Sequence, residues 1–308
     1  MAQKFMVTGA TGHQGGSLAR VLLEQSYIVH TLVRDPTTEK ARALESLGAI
    51  IFKGGFDDVE AIKAAISGVS GVFLNPFPTP PDPDLQIRLA RNVINAAAEE
   101  KCHLVLSTAF LTAHKDAWSN CRPEEFLHLF YSRKSAIEDE VRAADLKSYT
   151  IVRPTYLMHN YLVPFSFFHY PDLSKHGVLK HIYNEGRRFS HLDSADVGKI
   201  VAVILLNPEK YKKLEIDLSA QNLNSDEAVA IINRVSGRED IKVERLAIEN
   251  FDTELKTGLT WHYFANVYDV ELDSRKEVEE KFGIRLSTFE EYLEREKELL
   301  LKSLPALK

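Results

Sequence analysis

Cysteine is nearly missing: 308 residues hold two, Cys102 and Cys121, in no CxxC pair. That excludes a disulfide framework or a thiolate metal site and points to a reducing compartment. No apolar run approaches the ~20 residues of a membrane span, and the amino terminus enters a strand at once, leaving no room for a cleavable signal. A cytoplasmic protein without a membrane partner is expected. Positive charge is also short, with 38 Lys and Arg against 44 Asp and Glu and a net charge of -6. That balance argues against a nucleic-acid partner, which would need concentrated basic residues; Lys210, Lys212 and Lys213 read as a solvated helix end. The 11 histidines are scattered without ligand spacing, so no metal is expected. A Gly-x-Ser-x-Gly elbow and internal repeats are absent too.

What is present is a chain 44% hydrophobic, enough for one large core or a core with a smaller lobe. Its most informative segment is the first. Lys4 to Thr8 is strand-like and runs into Gly9-Ala10-Thr11-Gly12-His13-Gln14-Gly15-Gly16, behind which Leu18, Val21 and Leu22 fall at helical spacing. The first glycine permits a tight turn, the second lets a phosphate approach the backbone, and the third lets helix pack closely on strand. Bare N–H groups and the helix dipole then favour a pyrophosphate. The segment predicts a dinucleotide site, the bland alternative being an ordinary strand-to-helix turn.

Strands at Tyr27–Val33, Ala49–Phe52, Gly71–Asn75, His103–Ser107 and Tyr149–Val152 alternate with helices at Thr38–Leu47, Val59–Ile66, Leu85–Glu99 and Pro123–Ala144. Right-handed crossovers turn this alternation into an α/β fold, a Rossmann-type doubly wound parallel sheet. Pro76 to Pro83 is a proline-rich connection of the kind that borders ligand crevices. Beyond Arg153 the alternation weakens, although Val197–Leu206 and Leu214–Leu218 read as a helix and a strand. The expected organisation is a nucleotide-binding domain over 1–152, to which 190–218 returns, and a smaller, interleaved C-terminal α/β substrate lobe over 153–308, with helices at Ser225–Val235 and Thr288–Lys302.

Several strand ends carry candidate chemistry. Arg34 and Asp35 close the second strand, where the adenosine ribose lies in such folds. A guanidinium there grips a 2′-phosphate, whereas an acid accepts from a free 2′-hydroxyl. Arg34 coming first favours NADP(H) over NAD(H), and Asp35, ~20 residues past the last motif glycine, keeps NAD open. Phe56 is placed to stack on adenine, with Asp57 or Asp58 capping the next helix. Asn75 and Ser107 end the fourth and fifth strands, and Pro154 follows the sixth. Ser107 and Thr108 are expected to aim hydroxyls toward the reacting carbon, or to form turns. On the long helix, Phe126, Phe130, Lys134, Ile137 and Val141 share one stripe, which sets a lysine among apolar residues. Lys134 either serves the nicotinamide ribose and a proton transfer or snorkels to water.

The glycine segment, Leu32-Val33-Arg34-Asp35-Pro36, Lys134, Val152-Arg153-Pro154 and Asp193-Ser194-Ala195-Asp196-Val197-Gly198 together resemble the NmrA-like branch of the atypical short-chain dehydrogenase/reductases, over about residues 4 to 240. The resemblance implies a Rossmann-type NADP-binding domain and a carboxyl-terminal domain over a substrate cleft. Members divide into NADPH-dependent quinone or aromatic-ketone reductases and regulators that bind the cofactor to act through a protein partner; a biosynthetic enzyme of aromatic secondary metabolism is a third reading. The related isoflavone-reductase-like branch uses a lysine where Lys134 stands. The wider superfamily pairs that lysine with a tyrosine four residues earlier, where this chain has Phe130. Tyr131 lies ~100° round the helix from the missing position, so the proton would come from Lys134, a water, Tyr156 or His159. Tyr131, Tyr156, His159, Phe165 and Phe168, with Tyr161, Phe167, Tyr170, Trp261, Tyr263 and Phe264, are candidate lining for a small aromatic or quinone-like substrate, or core packing. His13 stands where the family often has arginine or lysine and either contacts the pyrophosphate or is simply exposed. Oligomeric state is left open.

Overall fold

Strand β1 (Lys4–Val7) leads into α1 (His13–Glu24), and the alternation continues through β2 (Ile28–Val33), α2 (Glu39–Ser46), β3 (Ile50–Lys53), α3 (Val59–Ile66) and β4 (Gly71–Leu74). Then follow α4 (Leu85–Glu99), β5 (His103–Ser107), a short α5 (Lys115–Trp118), the long α6 (Phe126–Ala143) and β6 (Ser148–Pro154). Next come β7 (Tyr156–Leu157), α7 (Ser166–His169), α8 (Pro171–His176), β8 (Val178–His181), β9 (Phe189–Leu192), α9 (Ser194–Leu206) and β10 (Leu214–Leu218). The chain closes with β11 (Gln221–Leu223), α10 (Ser225–Ser236), β12 (Lys242–Arg245), α11 (Leu259–Val267), α12 (Arg275–Phe282), α13 (Phe289–Arg295) and α14 (Lys297–Ser303). This computed structural model describes residues 3–77, 82, 84–119, 126–247 and 259–306. Cys121, Pro123 and most of the Pro76–Pro83 connection lie outside the described residues.

The chain forms two compact units, one of Met1–Pro154 with Ser194–Leu218, the other of Thr155–Asp193 with Ser219–Lys308. The first is built on a seven-stranded sheet in the order β10-β6-β5-β4-β1-β2-β3, parallel at every pairing. This is the expected Rossmann-type α/β architecture. Strands β4 and β5 are buried at every residue, as an all-parallel sheet covered on both faces requires. Met6, Val72, Leu104 and Ile151 from the sheet meet Ile62, Val93 and Ile137 from the helices in one apolar cluster. Each such side chain contributes about 1.5–3 kcal/mol by leaving water.

Helix starts follow local chemistry. Asp58, one of the two expected caps, accepts from the Ala61 N–H at 3.0 Å to open α3, and Asn224 with Glu227 forms a capping box on α10. Helix α9 meets α1 at Gly198, where a Cβ would lie 2.6 Å from the Leu18 backbone nitrogen; the Ser17 hydroxyl donates to the Ala195 carbonyl at 2.9 Å beside it.

Three expectations need correction. The single helix over Thr288–Lys302 is two helices, α13 and α14, parted at Glu296 (φ -97, ψ 23). The break adjoins Arg295, whose guanidinium reaches the buried Asp193 carboxylate at 2.7 Å. Lys210, Lys212 and Lys213 lie in the turn between α9 and β10, not on a helix end. Lys213 has φ 57 and donates its N–H to the Tyr149 carbonyl at 2.6 Å. Pro154 does not follow the sixth strand but ends it, paired with Leu218 of β10.

The second unit has a three-stranded sheet, β11-β9-β7, and a two-stranded pair, β12-β8. Its core is aromatic and imidazole-rich: Tyr161, Tyr170, Tyr183, Phe189, His191, His262 and Phe289 are all fully buried. The Tyr161 hydroxyl lies 2.9 Å from His191 Nε2. No helix among the described residues is long and apolar enough to cross a membrane.

Candidate functional site

In a parallel sheet every strand points its carboxyl end to the same edge. Thr8-Gly9 after β1, Arg34 after β2, Asn75 after β4 and Ser107-Thr108 at β5 therefore share one edge, with the topological switch falling between β1 and β4. Gly9 has φ +60, and its carbonyl accepts from the Gly12 N–H at 2.8 Å. At Gly15 an added Cβ would stand 2.4 Å from the Thr8 carbonyl oxygen and 2.6 Å from that of Gly9. The third glycine thus does what its spacing implied, letting α1 rest on the end of β1. Gly12 is the N-cap of α1, with no side-chain cap bond and no acidic residue in the first turn. With no side chain capping this helix start, its dipole favours an anion there. Thr11 is half-buried and His13 exposed on this loop. A tight turn with no room for a Cβ and an uncapped helix start fit a dinucleotide pyrophosphate.

Around the loop the polar contacts tie strand ends to it. Gln14, buried on the first turn of α1, accepts from the Ser107 hydroxyl at 2.8 Å. This corrects the expectation that Ser107 aims its hydroxyl at a reacting carbon: the hydroxyl is held by α1. The Thr8 hydroxyl accepts from the Asn75 N–H at 2.9 Å, a role sequence reading missed. Pro154 also has its carbonyl engaged, by the Phe110 N–H at 2.9 Å.

At the end of β2, Asp35 turns to Thr37, accepting from its N–H at 2.9 Å and its hydroxyl at 2.6 Å. These bonds, chiefly the hydroxyl's, hold the carboxyl below its ordinary range. Arg34 is exposed and makes no ion pair among the described residues, so it does not simply pair with Asp35. Its Cγ lies 3.7 Å from where a Cβ on Gly55 would stand. Phe56 packs against the main apolar cluster, and its carbonyl accepts from Asn92 Nδ2 at 2.8 Å.

The long helix carries the charged centre of the unit. Phe126 is 55% exposed, so the apolar stripe begins later than its spacing implied, but Lys134 is 5% exposed and Ile137 and Val141 are fully buried. The Lys134 ammonium sits 4.9 Å from the Phe130 ring centroid and donates to the Thr108 carbonyl at 3.4 Å. Burial brings its pKa down to about 8 against the opposing pull of Glu138. Snorkelling to water is excluded by that burial.

One turn further on, Glu138 is fully buried and saturated. Its Oε1 accepts from the Thr108 hydroxyl at 2.7 Å and Arg153 Nε at 2.8 Å. Its Oε2 accepts from Arg153 at 2.7 Å and Arg142 at 2.8 Å. Glu215 of β10 closes the network, accepting from Arg142 at 2.7 and 2.8 Å and from Arg153 at 2.5 Å. The Arg142 bond is the largest cause holding the Glu215 carboxyl down to about 2. Asp217 lies 4.0 Å from Arg153 and 3.5 Å from His114, and burial raises its pKa. Sequence reading missed Glu138, Arg142, Arg153 and Glu215 as a group; the available signal was an acid one helical turn after a lysine on an apolar face.

Tyr131 is buried, stacked on Trp118 at 6.4 Å with its edge toward Phe130 at 5.1 Å. In the second unit, Tyr156 stacks on Trp261 at 6.3 Å and meets Phe189 edge-on at 5.2 Å. Burial raises the Tyr156 hydroxyl well above the ordinary phenol range. His159 and Phe165 form a ring pair at 4.5 Å, and Phe168 is 43% exposed. Tyr156 is half-buried, with its hydroxyl enclosed.

A model of the NmrA-like family matches residues 1–293. The chain belongs to the NmrA-like family. An NmrA-like family domain-containing oxidoreductase, FrzB, from Cladobotryum sp is 29% identical over 252 residues, covering 75% of this chain and 73% of the relative. Among solved structures, the NADPH-dependent quinone oxidoreductase QOR2 of Escherichia coli, complexed with NADPH, has a TM-score of 0.73 at 18% identity, covering 95% of this chain and 99% of the other. NmrA, a negative transcriptional regulator in complex with NAD, has a TM-score of 0.77 at 17% identity over 99% of each chain. At these identities the two structures show the shared NmrA-type fold, on a sheet with helices on both faces.

Proposed function

We propose that this NmrA-like protein is an NADPH-dependent oxidoreductase that reduces a quinone or aromatic carbonyl compound. The observation that carries the reading is Lys134, an ammonium buried in the nucleotide-binding unit beside Thr108, with its pKa lowered to about 8. The loop of Gly9, Thr11, Gly12, His13, Gln14 and Gly15 would hold the pyrophosphate, Arg34 the 2′-phosphate, and Phe56, Asn75, Ser107 and Pro154 the flanks. A nicotinamide cofactor, when bound, supplies the hydride. Lys134 would then hydrogen-bond the ribose, raise the local positive potential, and be matched to give up a proton near neutral pH. The oxidoreductase relative and the quinone oxidoreductase of like fold support the reading. Residues 155–193 and 219–308 are assigned the substrate.

A second reading, a cofactor-binding regulator acting through a protein partner, is favoured by Phe130, which leaves this chain without the superfamily's phenol. The likeness to the NmrA regulator supports it. NADPH consumption against quinones and aromatic ketones separates the two: turnover lost in Lys134→Ala supports the reductase, and tight NADPH binding without turnover on any acceptor supports the regulator. For the cofactor, Arg34→Ala should weaken NADPH binding about tenfold or more while leaving NADH nearly unchanged. Equal losses for both nucleotides would overturn the 2′-phosphate assignment.

A further inference from the structure

Lys134 and Glu138 are one helical turn apart on α6, the spacing at which a lysine and a glutamate ordinarily pair. Here they do not. No carboxylate among the described residues lies within ion-pair distance of the lysine nitrogen; its neighbours are the Thr108 carbonyl at 3.4 Å and the Phe130 ring at 4.9 Å. Glu138 instead spends its four bonds on Arg153, Arg142 and the Thr108 hydroxyl. Arg153 supplies two of them in a fork, from a side chain 5% exposed. Thr108 touches both centres, accepting from the lysine through its carbonyl and donating to the glutamate through its hydroxyl.

We propose that Arg153 is a positioning residue for the Lys134 site: by engaging Glu138 it denies the lysine a counter-ion and leaves it able to exchange its proton. An isolated carboxylate one helical turn away would hold the lysine charged, because opposite charges favour each other's ionised form by about 1–3 pKa units. With Glu138 bonded to two guanidiniums, burial outweighs the glutamate's remaining pull on the lysine. The other charges around α6 leave this balance in place. Glu215 and Asp217 of β10 face Arg142, Arg153 and His114. Asp139 pairs with Arg142, Glu140 pairs with Arg91 of α4 at 2.6 Å, and Lys115 and Asp116 of α5 are exposed. The inference builds on the assignment of Lys134 as the working group, but the titration that tests it needs neither cofactor nor substrate.

The test is an NMR titration of the full chain carrying lysine labelled with heavy carbon at Cε, the Lys134 signal being identified by its loss in Lys134→Arg. In Arg153→Met the Lys134 titration should move up by about one unit or more. Adding Glu138→Gln to Arg153→Met should bring it back toward the native value, since both charges are then gone; this variant also avoids leaving a lone buried carboxylate. If turnover exists, its alkaline limb should follow the same two shifts, while KM for the nucleotide stays within about twofold. A folded Arg153→Met whose Lys134 titrates at the native pH overturns the proposal. So does a double variant that titrates like the single one. Absence of turnover would count against the reductase reading alone.

Discussion

The cradle stands or falls on single atoms. Gly15 has no space for a methyl group, with backbone oxygens 2.4 and 2.6 Å from the position a Cβ would take. Gly15→Ala must therefore push α1 off β1, at about 1–3 kcal/mol, and pull the first-turn amides away from an incoming phosphate. Urea denaturation should show the lost stability, and nucleotide affinity should fall about tenfold or more; native affinity in a stable variant would refute the close-packing role. This residue was legible in the sequence because a glycine repeat next to a strand has few other causes. Lys134 was legible for a similar reason, as an ionisable group in an apolar stripe. The Glu138–Arg153 pair was not. Its members come from different elements, and Glu215, which completes it, lies 62 positions from Arg153; nothing local reveals such a pairing. Ser107 was misread because a hydroxyl at a strand end does not announce its partner, here Gln14 across 93 positions.

Among the elements, periodicity recovered the described strands and most helices of the sheet to within three residues, since buried strands and one-sided helices must carry those patterns. It failed where a tertiary contact decides the local course, as at Arg295, where one long helical pattern becomes α13 and α14. The contact of α9 on α1 is a feature of this scale. Gly198 presents no side chain to Ser17 and Leu18, and an added Cβ would be 2.6 Å from atoms of both. Gly198→Ala should cost about 1–3 kcal/mol, seen as a lower midpoint in thermal unfolding. Because Gly16 and Ser17 belong to the first turns of the helix that carries the amides, nucleotide affinity should fall with it. A variant as stable as the native chain would show that the two helices can slide apart freely.

For the whole molecule, buried histidines set the response to acid. Burial holds His169 and His181 down to about 4 and His191 down to about 3, whereas the unfolded chain binds these protons near ~6.5. Each neutral imidazole therefore contributes stability in full above about pH 6.5. That contribution drains as pH falls toward 4, at about 1.4 kcal/mol per unit per histidine. Glu215 works in a lower window: its carboxyl, held down to about 2, contributes above ~4.5 and is lost only below that. The melting temperature should consequently drop steeply between pH 6.5 and 4.5, before carboxylate losses begin. His191→Gln should flatten that slope by roughly one proton; a native melting temperature constant over the interval would sink the assignment.

The first unit is not a continuous stretch of chain. Its last helix and strand, α9 and β10, arrive only after residues 155–193 have been spent elsewhere, yet β10 pairs with five residues of β6 from Thr150 to Pro154. A ribosome that has released only the first 154 residues has therefore made a sheet with a bare flank, with neither the α1 backing nor the Glu215 end of the buried ionic web in place. Completion of the first unit must wait for synthesis to pass Leu218, and a fragment cut at Pro154 would expose an unpaired edge open to aggregation.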